Sequence, residues 1–319
     1  MAQNAPGRHD REGLSLVEVM RMFPTDDAAE AWIAGIRWPD GPRCPHCDSD
    51  NVLSGAAHKT MPYRCRVKEC RKRFSVRVGT VLQDSKLGYQ TWALAVYLMT
   101  TELKGRASMK LHRDLGITQK SAWHLAHRIR EAWDTVQAAY TGPVEVDETF
   151  IGGKERNKHA SKRLNAGRGT VGKTAVVGAR DRGSRKVAAR VVPNTQAATL
   201  QGFVEERRVP NAPVYTDGAT AYDGLPNREK VAHSVGEYVR GEAHTNGMES
   251  FWSMLKRGYH GTYHRMSAKH LQRYVNEFCG RHNVRDLDTV DQMVAVFVGL
   301  VGKRLTYTDL TDGARGVAT

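Results

Sequence analysis

Three carboxylates in separate segments have the makings of one metal site: Asp147 in VEVDETFIGGK, Asp217 in VYTDGATAY and Glu249 in HTNGMESFWSMLKRG. Val144 and Val146 alternate with Glu145 and Asp147, so a strand would turn Asp147 away from the valine face. Val214 and Thr216 alternate with Tyr215 and Asp217 in the same way, and Gly218 closes that strand. Aspartate is disfavoured in strands, so both positions invite a functional explanation, with a turn cap as the alternative for Asp217. Around the third acid, Met248, Phe251, Trp252, Leu255 and Tyr259 make one apolar helical stripe. Asn246, Glu249, Ser253 and Lys256 occupy the opposite side, where a capping box of Asn246 with Glu249 is the structural alternative. Three ionised carboxylates cluster only around a cation. Oxygen ligands suit Mg2+ or Mn2+, and two such ions suit phosphodiester displacement, with Lys256 as a point charge on DNA phosphate.

A second constellation is sulfur. Cys44-Pro-His-Cys47 is followed by Cys65 and Cys70, which fits a tetrahedral structural Zn2+ site on two knuckle turns. Four unrelated buried cysteines are the bland reading, and His46 and His58 are the alternative ligands. Arg71, Lys72 and Arg73 follow the last ligand at once and read as phosphate contacts. A further basic cluster runs through Lys154, Arg156, Lys158, Lys162, Arg163, Arg168 and Lys173. The formal charge of +14 favours a polyanionic partner, although a merely basic protein has the same composition. Cys279, the fifth cysteine, sits in an apolar helical pattern and reads as a buried small hydrophobe. Five cysteines make an odd count, and four of them at metal spacing suit a reducing cytosol better than a disulfide framework. The polar N-terminus has no secretory h-region, and no apolar run is long enough for a membrane span.

These groups need elements to position them. Residues 1–13 read as disordered, and 14–38 as two short helices split at Pro24, with Thr25-Asp26 as a start signal. Residues 40–80 read as short strands rich in Cys, Arg and Gly. Helices follow over 89–103, 108–115 and from Thr118 or Gln119 to beyond Trp133. The second and third, joined at Gly116, have helix-turn-helix spacing. In that layout Gln119, Lys120, Ser121 and His124 are exposed for base contact; an ordinary helical hairpin fits equally well. Gly142-Pro143 marks a boundary. Strands are expected over 143–151, 173–181, 185–193, 212–217 and 230–235, with helices over 195–208, 245–257 and 267–281. That mixture is an α/β domain with a mixed sheet.

Taken together, the blocks resemble the zinc-ribbon DDE transposases of bacterial insertion sequences, whose catalytic region is the ISXO2-like transposase domain. FPTDDAAEAWIAGIRWPDGPRCPHC and RCRVKECRKRFSVRVGTVLQDSKL are similar to the family's N-terminal region. VEVDETFIGGK, VYTDGATAY and HTNGMESFWSMLKRGYHGTYHRMSAKHLQRYVNEFCGRHN are similar to its three catalytic blocks. The resemblance implies an RNase H-like fold and DNA movement, with Asp147, Asp217 and Glu249 as the acids and Lys256 as the following basic residue. Some members carry Asn as the third residue, which leaves Asn246 as the alternative; Glu148 and Asp223 are further competitors.

The expected organisation is a helical lead-in and zinc ribbon over 14–80, a helical DNA-binding or linker region over 85–140, an RNase H-like catalytic domain over 141–305 and a loose tail over 306–319. The expected partners are double-stranded DNA, namely terminal inverted repeats and target, and further copies of the chain in a dimer or larger assembly. The expected place is the bacterial cytoplasm, at the nucleoid. Two rivals remain: a zinc-ribbon DNA-binding regulator with an inert sheet domain, and a simple metal nuclease.

Overall fold

The computed structural model describes residues 12–58, 60–134, 139–153, 157–164, 169–230 and 245–312, and the side chain of Lys162 is not among them. The expected disorder of the N-terminus, most of the 230–235 strand, the end of the tail and Lys154, Arg156 and Arg168 lie outside these residues. The chain divides into two compact units.

The first unit opens with α1 (Leu16–Met22), started by a capping box between Ser15 and Glu18. Pro24 separates it from α2 (Asp26–Arg37), whose N-cap Thr25 accepts a bond from the Ala28 amide. A three-stranded antiparallel ribbon follows: β1 (Val52–Leu53), β2 (Tyr63–Cys65) and β3 (Arg73–Phe74). Its small core is aromatic. Tyr63 stacks on Phe74 at 5.5 Å, and Trp38 meets both rings edge-on. Helix α3 (Tyr89–Thr101) is buried on nearly every side, as suits the central helix of a bundle. Helix α4 (Ser108–Leu115) ends at Gly116 in the left-handed region, φ 62°. Thr118 then caps α5 (Gln119–Arg130), so the two helices are joined by a short turn, which fits a helix-turn-helix and a helical hairpin alike.

The second unit is a five-stranded mixed sheet in the order β6-β5-β4-β7-β8. Strands β4 (Val144–Ile151), β5 (Thr174–Asp181) and β6 (Val187–Val192) are antiparallel neighbours. Helix α6 (Ala197–Arg207) leads to β7 (Val214–Thr216) and then β8 (Arg228–Lys230), which run parallel to β4. One face of the sheet, through Val144, Val146 and Val177, packs on Leu200, Phe203 and Val204 of α6. The other face packs on α7 (Asn246–Gly258) and α8 (Leu271–Asn283). Gly178 of β5 lies opposite Asp147, and a Cβ there would meet Met248 Cε at 2.5 Å and the Trp252 ring at 2.7 Å. Its bare backbone lets α7 seat directly on the sheet beside Asp147. Edge strand β6 is closed by side chains of α8: Gln272 accepts the Val191 amide, and Asn283 bonds both the amide and carbonyl of Val187.

The chain then returns to the first unit. Helix α9 (Thr289–Gly299) adds Met293, Val296 and Phe297 to the core of the N-terminal helices, with Phe297 edge-on to Trp32. Helix α10 (Tyr307–Thr311) follows, capped by Thr306 and Asp309. The sequence reading carried the sheet domain to 305 and left 306–319 loose. Instead, everything described after Arg285 packs with the first unit, because the apolar face of α9 finds its partners there.

Candidate active site and zinc ribbon

Asp147 lies in the middle of β4, on the face opposite Val144 and Val146, as alternation requires. The parallel β4–β7 register pairs Val144 with Val214 and Glu145 with Tyr215. Asp217 follows directly after the end of β7, close enough for its charge to act on Asp147. Glu249 comes from the other direction, in the first turn of α7. The stripe of Met248, Phe251, Trp252, Leu255 and Tyr259 is buried, which leaves Glu249, Ser253 and Lys256 exposed along the outer side of the helix.

The three acids share one electrostatic field. The Asp147 carboxyl is pushed up to about 7, first by burial and then by the charges of Glu148, Asp217 and Glu249. They are not drawn together as closely as the thiols of the ribbon: among the described residues, only the cysteine set converges tightly enough to count as a cluster of three or more His, Cys, Asp or Glu ligands. A cleft of about 490 Å³ opens beside Asp147, with Asp147, Glu148 and Glu249 as its acidic wall and Lys256, Arg257 and His260 as its basic one. Asp217 reaches Asp147 through its field but does not line the cleft. Its Oδ1 accepts the Ala219 amide at 3.0 Å, so it does cap the turn, as the alternative reading had it.

The competitors separate. Helix α7 begins at Asn246 itself, with Thr245 as N-cap, so the Asn246–Glu249 capping box does not form. Thr245 Oγ1 instead donates to Glu249 Oε1 at 3.2 Å. Asn246 is exposed outside the cleft wall that Glu249 joins. Glu148 accepts a bond from Tyr222 Oη at 2.7 Å, and burial holds its carboxyl above the usual range. Asp223 is exposed and tied to Arg228 and Lys230, whose bonds hold it below the usual range.

In the ribbon, the sulfurs of Cys44, Cys47, Cys65 and Cys70 all lie within 4.8 Å of one another. Each accepts a nearby backbone amide: Cys44 from His46 and Cys47, Cys47 from Ser49, Cys65 from Val67 and Cys70 from Lys72. Such N–H···S bonds favour the thiolate, the form that binds a metal, and the Lys72 amide holds Cys70 below the ordinary thiol value, whereas burial and the neighbouring thiols outweigh them at Cys44, Cys47 and Cys65, which are raised. The set fits Zn2+ with four sulfurs; His46 and His58 stand outside it.

A family model described as the ISXO2-like transposase domain matches residues 140–283, the part that holds the three acids. One described as a transposase zinc-ribbon domain matches residues 24–73. The chain is 31% identical over 283 residues to a Halobacterium salinarum protein, covering 83% of this chain and 93% of that one; the relative is named as an uncharacterized protein in transposable element ISH50. The chain belongs to the ISXO2-like transposase family. A shorter Haemophilus influenzae relative, named as an uncharacterized transposase-like protein, is 32% identical over 102 residues, 31% of this chain and 81% of that one.

Within this ISXO2-like member, Arg71, Lys72 and Arg73 are exposed, and the β2–β3 register sets Arg73 directly opposite Arg64. The expected base-reading face of α5 differs from its sequence reading. Gln119 and Lys120 are exposed, but Ser121 and His124 are half-buried. The C-terminal segment covers them: Lys120 Nζ lies 4.3 Å above the Tyr307 ring, and His124 meets that ring edge-on. His124 Nε2 also lies 3.3 Å from the Leu305 carbonyl, and burial keeps its imidazole below the ordinary value. Gln119 donates to Ser108 Oγ at 3.2 Å. Two features of the ISXO2-like domain escaped the sequence reading. One is the continuation of the basic wall from Lys256 to Arg257 and His260, one helical turn of the same face. The other is Glu145, fully buried between Arg180 and Arg182; its only signal was sharing strand parity with Asp147.

Proposed function

We propose that the protein is the transposase of an insertion sequence, cutting the ends of its element and joining them to target DNA by metal-dependent transesterification. The observation that carries this reading is the carboxyl of Asp147, lining a cleft with Glu148 and Glu249 and raised first by its burial and then by the charges of acids from β4, the end of β7 and α7. Asp147, Asp217 and Glu249 would hold two Mg2+ or Mn2+ ions, since an all-carboxylate donor set suits a hard cation. When bound, the ions would activate the attacking oxygen and offset charge on the leaving one. The residues of the chain do the rest. Lys256, with Arg257 and His260 on the same wall, would grip the DNA phosphates, and Asn246 would contact the strand at the head of α7. The seating of α7 on the sheet through Gly178 keeps Glu249 beside Asp147.

A central strand bearing the first acid and a parallel neighbour bearing the second support an RNase H-like fold. Zn2+ on Cys44, Cys47, Cys65 and Cys70 would hold the ribbon together. Arg64 and Arg73, like charges facing each other across β2 and β3, favour a polyanion between them and solvent. With Arg71, Lys72, Gln119, Lys120 and His124 they would form the face for terminal repeats. Lys120 is already exposed, whereas His124 reaches DNA only if Tyr307 moves aside. Joining two DNA ends calls for a dimer or larger assembly on DNA. The proposed place is the bacterial cytoplasm; among the described residues no helix is long and apolar enough to cross a membrane.

The test is to incubate the purified protein with labelled element ends and Mg2+ or Mn2+. Nicks and strand-transfer products are expected, and Asp147→Asn should abolish both while DNA binding persists. Binding without any cleavage would leave a DNA-binding regulator. Cutting without joining would leave a nuclease.

A further inference from the structure

We infer that Glu145 is a positioning residue for the acidic site: with Arg180 and Arg182 it fixes the first turn of α7, and so the place of Glu249 relative to Asp147. This rests on the proposed roles of Asp147 and Glu249.

Glu145 is 0% exposed. Its Oε1 accepts bonds from Arg180 at 3.1 Å and from the Arg182 Nε at 3.0 Å, and its Oε2 accepts the Met248 amide at 3.1 Å. The first amides of a helix need partners beyond the helix, normally the N-cap side chain. Thr245 makes no such cap bond. Glu145 therefore caps α7 from the strand beneath it, a residue distant in sequence doing the local one's work. Its negative charge also suits the positive end of the helix.

Two neighbours make the contact specific. A Cβ on Gly247 would fall 2.1 Å from the Arg180 guanidinium and 2.6 Å from Glu145 Oε2, so the helix approaches this closely only with glycine there. Met248, whose amide is held, immediately precedes Glu249. On the strand side, Glu145 precedes Asp147 by one repeat of the same face, so one strand carries both an acid of the site and the anchor of another. Stability alone is a weak reason for the arrangement, because a buried ion pair often contributes little beyond a packed apolar group. Neither is Glu145 a ligand in waiting: both its oxygens are occupied, and it does not line the cleft.

The experiment measures Mn2+ binding by calorimetry on the full-length protein, together with thermal melting and single-turnover cleavage of element ends. The variants are Glu145→Gln and Gly247→Ala, the second wedging the same contact from the helix side. Both are expected to fold and bind DNA as wild type does. Mn2+ affinity and the cleavage rate at fixed Mn2+ should fall on the order of 10–100-fold, the range for residues that orient metal ligands. Wild-type Mn2+ affinity in both folded variants overturns the clamp and leaves the catalytic reading standing. Failure of both variants to fold also overturns it, since Glu145 would then be a core residue. A wild-type protein with no Mn2+ binding sensitive to Asp147→Asn overturns both the clamp and the catalytic reading.

Discussion

Asp147 gains a proton more readily in the folded chain than it would free, with a carboxyl raised from 3.8 to about 7. The consequence for stability has a definite sign. Between about pH 4 and 7 the folded state holds a proton that the unfolded chain has released, so stability from this group falls as pH rises through that window. Above 7 the whole cost is present. In metal-free protein, Asp147→Asn should therefore be more stable than wild type at pH 8, by roughly 2–4 kcal/mol, with the gap closing toward pH 5. Chemical denaturation across pH measures this, and a gap that does not change with pH would sink the shift. At this scale the sequence was readable where a side chain broke a pattern. Aspartate near a strand end drew attention because strands disfavour it. Glu145 did not, because a glutamate on the polar parity of a half-exposed strand is ordinary, and only the folded chain reveals that α7 closes over that face.

The elements followed their periodicities closely where local chemistry set the ends. Thr25, Gly116 and Thr118 mark helix ends in the sequence and in the fold alike. Helix α9 does not stand out in the sequence because its apolar run, Met293 to Val298, is short and rich in valine, so period alone does not separate helix from strand.

 Two predictions belong here. Gly178→Ala should push Met248 and Trp252 off the sheet and lower the stability of the second unit by about 1–3 kcal/mol, read from its thermal melt. An unchanged melt would mean that α7 does not rest on that glycine. In the ribbon, strands of two or three residues around a few aromatic rings make too small a core to stand alone. Cys65→Ser, or chelation of zinc, should abolish DNA binding and strip about one Zn2+ per chain, measured by metal analysis and gel shift. Full DNA binding by the metal-free protein would refute the structural role of the site.

At the scale of the whole molecule, the two compact units do not follow the linear order of the chain. The first is assembled from both ends, with Met293, Val296, Phe297 and Leu300 buried among helices from the beginning. The sequence reading had no means of seeing this, since the choice of partner for an apolar helix is a long-range matter that composition does not encode. A chain cut after Arg285 should retain a folded sheet unit but lose the cooperative melt of the helical unit, and with it DNA binding. Circular dichroism melts of the two lengths measure this, and a truncated chain with an intact helical transition would exclude the required role of α9.

The closing of the helical unit by the last stretch of the chain also sets an order for synthesis. Domains commonly fold as they leave the ribosome, N-terminal part first. Here the ribbon and early helices emerge without α9 and wait while the entire sheet unit is translated. If the helical unit binds element ends and the sheet unit cuts them, as proposed, a ribosome that stops early releases no finished helical unit ahead of its sheet unit.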